Sequence, residues 1–200
     1  MFLIRPYHPS DLPALYRVCL LTGDAGNDAS AVFQDHELLG HLYVGPYVVY
    51  EPELAWTLTH NGAPVGYVIA TRDTSIFLDR CERDWLPPLR VRYPLPDPAD
   101  SAPDASLIRS LHALKQVFSE RAPYQAHLHI DLLPVAQGRG WGRRMIATLN
   151  DALRAHGAPG VSLGLAAGNT RAQGFYENLG FHPIPNTLNA PWYGMWFDGK

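Results

Sequence analysis

From His127 to Leu132 polar and apolar residues alternate, with His127, His129 and Asp131 on one side and Leu128, Ile130 and Leu132 on the other. A period of two belongs to a strand. Polar groups buried without partners cost about 1–3 kcal/mol each, so three of them on one face imply a cleft or a hydrogen-bond network beside a central strand. The period then lengthens to that of a helix from Arg143 to His156.

The same reading gives the flanking elements. Phe2 to Tyr7 is strand-like, and Ser10 or Asp11 is placed to cap a helix whose apolar stripe is Leu12, Leu15, Tyr16 and Cys19, ending near Gly23. Leu54–His60 and Pro64–Thr71 flank Asn61-Gly62, a two-residue hairpin turn signal. From Asp73 to Ala105 six prolines (87, 88, 94, 96, 98 and 103) predict an irregular insertion. Its Phe77, Trp85, Leu86, Leu89 and Tyr93 argue that part of it packs and roofs an acceptor site. A helix is expected from Ser106 through Leu107, Leu111, Leu114 and Phe118, with Pro123 beyond its end, and another opens at Asn169 and closes at Gly180. In that last helix Ala172, Phe175 and Leu179 form the predicted buried face, with Tyr176 on its border.

Strand and helix meet at Gln137-Gly-Arg-Gly-Trp-Gly142. Glycines there let backbone N–H groups approach an anion, and the helix start behind them offers unpaired donors and a positive dipole end. Arg143 and Arg144 in the first turn oppose that dipole unless phosphate neutralises them. A nucleoside triphosphate loop would end in Gly-Lys-Ser/Thr, and a dinucleotide fingerprint needs a further glycine at 143; both are missing.

Those residues resemble the acetyl-CoA loop of the GNAT acetyltransferase superfamily, through Gln137, Gly140 and Gly142. Asn169-Thr-Arg-Ala-Gln-Gly-Phe-Tyr-Glu-Asn-Leu-Gly-Phe181 is similar to that family's later motif, and Ile4-Arg5-Pro6 with Asp11 to its opening. Thr22-Gly-Asp24, Asp28-Ala-Ser30, His41-Leu-Tyr-Val-Gly-Pro-Tyr47 and His127-Leu-His-Ile-Asp131 resemble the acetyltransferase-like domain of O-GlcNAcases and its free-standing bacterial relatives, a branch that includes pseudo-acetyltransferases.

The resemblance implies an α/β (α+β) GNAT fold, a mixed, mostly antiparallel sheet of about six to seven strands splayed at the cofactor site and flanked by helices. It implies acetyl-CoA as cofactor, held by Leu132, Leu133, Gln137, Gly138, Arg139, Gly140, Trp141, Gly142, Arg143, Asn169, Phe175 and Tyr176. It implies direct acetyl transfer to a primary amine, small molecule or peptide, with Asp131 as base, His129 as second candidate and Tyr176 as acid. Asp24, Asp28, Trp85 and His129 are the acceptor candidates, Asp24 and Asp28 because carboxylates can face a cationic amine.

Composition fits one domain over 1–200: a chain of 200 residues is of ordinary single-domain length. The formal net charge of −3 lacks the basic excess of a nucleic-acid or membrane binder. Cys19 and Cys81 have neither metal nor redox spacing, and with no leader pattern the expected setting is the cytoplasm. The aromatic run Trp192–Phe197 suggests an edge-strand interface, in a monomer or homodimer. Two other functions compete: a catalytically silent acetyl-CoA-binding module, and a zinc hydrolase using His127, His129 and Asp131, against which Leu132 stands where such sites continue with histidine. No metal is expected.

Overall fold

The computed structural model describes residues 1–114, 124–166, 168–185 and 190–197, so the expected Phe118 and Pro123 positions lie outside the described residues. Seven strands form one sheet: β1 (Phe2–Pro6), β2 (Ala55–His60), β3 (Ala63–Thr71), β4 (Ala126–Leu132), β5 (Gly160–Gly164), β6 (His182–Ile184) and β7 (Trp192–Trp196). Their order is β1-β2-β3-β4-β5-β7-β6, and every pair is antiparallel except the parallel β4–β5. This is a mixed, mostly antiparallel α/β sheet with helices on both faces.

The hairpin forms as predicted, with Asn61 at φ 51° and Gly62 at φ 85°, the left-handed pair that a type I′ turn requires. β3 is buried on both faces from Val65 onward, and its side chains divide the core. Tyr67 and Ile69 join Leu15, Tyr47, Phe77, Leu86 and Leu111 on one face. Val68 and Ala70 join Leu58, Leu128, Met145, Leu149 and Phe181 on the other. The first face is covered by α1 (Leu12–Leu20), α2 (Leu38–Tyr43), α3 (Gly45–Tyr50), α4 (Thr74–Arg80), α5 (Leu86–Arg92) and α6 (Pro103–His112); α7 (Trp141–Ala155) covers the second, and α8 (Thr170–Glu177) follows β5.

Five expectations are corrected. Neither Ser10 nor Asp11 caps α1: the capping box belongs to His8 and the short 3₁₀ turn Pro9–Asp11. The buried Asp11 carboxylate instead accepts from Arg5 at 2.6 and 2.7 Å and from Thr57 at 3.1 Å, tying the first corner to β2.

The segment 73–105 is largely helical rather than irregular. Asp73 caps α4 by accepting from Ile76 N at 3.0 Å, a π-helical turn Cys81–Trp85 leads into α5, and Pro87 and Pro88 fall in its first turn, where no N–H is needed. Pro103 likewise starts α6, three residues before the predicted Ser106. Arg90 pins α5 to α6, donating to Glu82 at 2.8 Å and to His112 O at 3.2 Å.

The aromatic tail is no sheet edge, because β7 is hydrogen-bonded between β5 and β6. In α8 it is Tyr176 that is buried, while Ala172 and Phe175, and Leu179 just beyond its end, are half-buried. Among the described residues no helix is long and apolar enough to cross a membrane.

Candidate active site

Pairing between β3 and β4 runs the full length from Thr71↔His127 to Gly66↔Leu132, whereas β4 and β5 pair only at Ala126↔Val161 and His127↔Ser162 and then part. A wedge-shaped gap therefore opens beside Leu128–Leu132. Leu133 N donates to Val65 O at 2.9 Å, so by antiparallel alternation the odd residues of β4 bond to β3 while Leu128, Ile130 and Leu132 turn their backbone groups toward the gap. Leu133 thus directs its backbone groups to β3, while Ile130, like Leu132, directs its own toward the gap.

The glycine loop lies at the wide end of the gap. Gly138 (φ 70°) and Gly140 (φ 77°) are left-handed, and a Cβ at either would meet nothing within 4 Å, so backbone conformation alone demands glycine there. Gly142 is different: its Cβ would lie 3.1 Å from Phe175 Cζ, so it is small to let α7 pack against α8. Gly140 opens α7 with no side-chain cap on the helix's first amides, which leaves this end suited to an anion. Gln137 braces the loop, its Nε2 donating to Leu132 O at 2.7 Å and its Oε1 accepting from Arg171 at 2.9 Å. Arg139 and Arg143 are exposed, and Arg144 lies over the half-buried Trp141 ring at 4.6 Å. Arg171 is a cation beside the loop that spacing did not reveal.

Asp131 is half-buried on the opposite face of β4. Tyr67, its register partner on β3, donates to Oδ2. Loss of water around the carboxyl pushes its pKa up to about 6, and the bond from the Tyr67 hydroxyl restrains the rise. Tyr67 is itself held far above the usual phenol range by burial and the adjacent charge, so it stays a donor. Cys19 is buried in the same core cluster as Tyr67, its thiol pushed up by burial. Burial likewise raises Tyr176, with a further push from the Asp131 charge, which keeps its phenol protonated.

His129 and His127 are joined through one hydroxyl: Tyr47 Oη lies 3.0 Å from His129 Nε2 and 2.6 Å from His127 Nε2. Thr74 Oγ1 lies 2.8 Å from His127 Nδ1. With these ring nitrogens facing hydroxyls, the zinc constellation does not form; among the described residues no group of three or more His, Cys, Asp or Glu could hold a metal.

The acceptor candidates scatter. Asp24 sits in a tight exposed turn bridged to Asn27, and Asp28 accepts from Ser30 N at 2.8 Å, a backbone bond that lowers its pKa. Asn169 caps α8 by accepting from Ala172 N at 3.1 Å and ties that loop to the helix by donating to Ala25 O at 3.1 Å. The half-buried Trp85 donates its indole N–H to His41 O at 2.9 Å, and its ring packs beside Gly45.

A parted parallel strand pair, a glycine loop opening a helix and a desolvated carboxyl beside them together define an acyltransferase of the GNAT kind. Residues 27–181 match the model of the acetyltransferase (GNAT) family, and the chain belongs to that family. It is similar to protein O-GlcNAcase of Rattus norvegicus, 26% identical over 195 residues that make up 96% of this chain and 21% of that protein. The chain thus spans about a fifth of the length of the curated relatives it matches first. The crystal structure of SsHAT shares 39% identity and a TM-score of 0.92 over 98% of each chain. The structure of yncA, a putative acetyltransferase from Salmonella typhimurium with its cofactor acetyl-CoA, has the same fold at 16% identity and a TM-score of 0.56, over 100% of this chain and 95% of that one.

Proposed function

We propose that this chain transfers acetyl from acetyl-CoA to a primary amine by direct attack within a ternary complex, residues 1–200 acting as one catalytic unit. The observation that carries the reading is the Asp131 carboxyl, raised to about 6 at the edge of the β4–β5 gap. A base with that pKa is largely ionised at neutral pH yet basic enough to accept a proton from an ammonium.

Acetyl-CoA supplies the acetyl group activated as a thioester. The backbone edges of Ile130 and Leu132 bind its extended arm as a strand would, and the amides around Gly138–Gly142, with Arg171 and Arg143 near, receive its phosphates. Phe175 closes the seam between loop and helix. Asp131 takes the proton from the amine, and Tyr176, protonated by virtue of its burial, returns one to the departing sulfur. Asp24 and Asp28 on the rim favour a cationic acceptor.

The test is calorimetric titration with acetyl-CoA followed by transfer assays on a panel of a polyamine, an amino sugar and a lysine peptide, with wild type and Asp131→Asn. Unchanged cofactor affinity with loss of at least a hundredfold in transfer supports the assignment. Binding without transfer in the wild type identifies a silent acetyl-CoA-binding module instead.

A further inference from the structure

We infer that Asn169 is a positioning residue for the amine acceptor, holding the Asp24–Asn27 hairpin across the acceptor side of the β4–β5 gap through its bond to Ala25. That role rests on the acetyl-transfer reading and differs from the cofactor contact that the resemblance implies for this residue.

The two sides of the gap are set by the sheet. Asp131 shares its face with Tyr67, its register partner, and the core cluster around Tyr67 includes Leu15, Val18, Cys19 and Leu20 of α1. Met145 and Leu149 of α7, the helix that starts at the glycine loop, pack on the opposite face with Val68 and Leu128. A cofactor whose phosphates sit at that loop and whose thioester reaches Asp131 therefore crosses the gap from the α7 face to the α1 face. The amine meets it on the α1 face, where the loop leaving α1 runs over to α8.

That loop is built as a short arm. Thr22 Oγ1 ties its base to Val18 O at 2.8 Å, and Gly23 is packed so closely that a Cβ there would lie 2.5 Å from Leu39 Cδ1. Asp24 and Asn27 then exchange both backbone bonds, at 3.1 and 2.8 Å, around Ala25 (φ 50°) and Gly26 (φ 94°), the tip of a type I′ turn. Alanine is strained in the left-handed region, yet it is the carbonyl of this residue that reaches α8. Asn169 Oδ1 is engaged as the cap of α8, accepting from Ala172 N at 3.1 Å, which turns Nδ2 to donate to Ala25 O at 3.1 Å. A Cβ on Gly26 would lie 3.9 Å from the same Nδ2, so tip and cap sit side by side.

Two residues further on, Arg171 donates to Gln137 of the glycine loop. The first turn of α8 thus serves the cofactor loop through Arg171 and the acceptor hairpin through Asn169, and the buried Tyr176 stands near the helix's other end. Loss of the Ala25 bond frees the hairpin, and Asp24 with it, from the helix that carries the acid, while the arginine contact remains.

The variant that tests this is Asn169→Ser, which keeps an oxygen to cap α8, is too short to reach Ala25 and adds no charge. Acetyl-CoA affinity is measured by calorimetry, and KM and kcat at saturating acetyl-CoA with the best acceptor among a polyamine, an amino sugar and a lysine peptide. The acceptor KM is expected to rise about three- to tenfold, the range of one hydrogen bond, with a smaller change in kcat and an acetyl-CoA Kd within about twofold of wild type. Amide exchange in the free protein supplies a readout that needs no ligand: the Asp24 and Asn27 amides should exchange faster in Asn169→Ser, and the Ala29 amide, bonded to Leu20 O at the base of the arm, should not. Raised acetyl-CoA Kd with an unchanged acceptor KM, or hairpin amides that exchange as in wild type, overturns the inference while leaving acetyl transfer intact. A wild type that binds acetyl-CoA and acetylates none of the amines overturns the transfer reading and this role together.

Discussion

Tyr67 and Asp131 face each other in register across β3 and β4, and the tyrosine hydroxyl donates to the carboxylate. A donor there favours the ionised acid, so it opposes the desolvation that raises Asp131 to about 6. Tyr67→Phe removes the donor and leaves the burial, and the Asp131 pKa must rise. Because the ionised carboxylate is the active form, the acidic limb of kcat/KM moves to higher pH, by roughly half to one pH unit for a bond of about 1 kcal/mol. A limb that stays in place would remove Asp131 from the rate equation.

Asp131→Asn has a stability consequence separate from activity. The folded carboxyl titrates near 6 against an ordinary 3.8, so folding is strongest with this group protonated, below the unfolded value, and the contribution is lost as pH rises through 6. Two pH units correspond to about 3 kcal/mol. The asparagine protein, which carries no charge to desolvate, is expected to melt higher than wild type at pH 8 and to lose that advantage by pH 4. Thermal melts at the two pH values decide it.

Gly140→Ala and Gly142→Ala should both weaken acetyl-CoA binding, for different reasons. At Gly140 the left-handed backbone costs about 1 kcal/mol in alanine, and no second change relieves it. At Gly142 the methyl meets the Phe175 ring, so Phe175→Leu in the same chain should recover affinity. Calorimetry of the two single and two double variants checks this; rescue of Gly140→Ala by Phe175→Leu would contradict it.

Arg171→Ala frees the Gln137 side chain at one end and removes a cation beside the glycine loop. Affinity for acetyl-CoA is expected to fall severalfold at low salt, with the gap to wild type narrowing as salt screens the charge. Gln137→Ala should weaken binding without changing the salt slope. Equal slopes for wild type and Arg171→Ala would show that the arginine acts only as a brace.

Asn169→Ala removes both the cap of α8 and the tether to Ala25, and a loss of about 1 kcal/mol or somewhat more in unfolding free energy is expected from denaturant titration. Asn169→Asp keeps the cap but not the N–H donated to Ala25 O, so it separates the two contributions.

What could be read beforehand was local. The Asn61-Gly62 hairpin, the alternation of β4 and the glycine junction each reside in a few neighbouring residues, and all three formed. Tyr67 was hidden because its role depends on pairing β3 with a strand some sixty residues later, and Tyr47 because it reaches His127 and His129 from another layer. The helices of 73–105 were hidden by Pro87, Pro88 and Pro103, which fall at first turns where they do no harm, whereas Pro94, Pro96 and Pro98 lie in the non-helical stretch between α5 and α6; a proline count does not see position. The partner of Trp85 was hidden for the same reason as Tyr47, since its indole N–H is received by His41 O from another helix.

The short pairing of β4 with β5 makes Ala126–Ser162 a pivot: the two halves of the sheet meet there and diverge, with Ser162 Oγ also bonded to Ala126 O at 3.3 Å. Asp131 lies four residues beyond His127, a lever of roughly 13 Å at 3.3 Å per residue. A rotation of about 5° at the pivot swings the far end by about 1 Å, a misplacement that can cost a hundredfold in rate. Substitutions at the buried Ser162, which touches nothing reactive, should therefore register in turnover, because the reach of the strand multiplies whatever happens at its root.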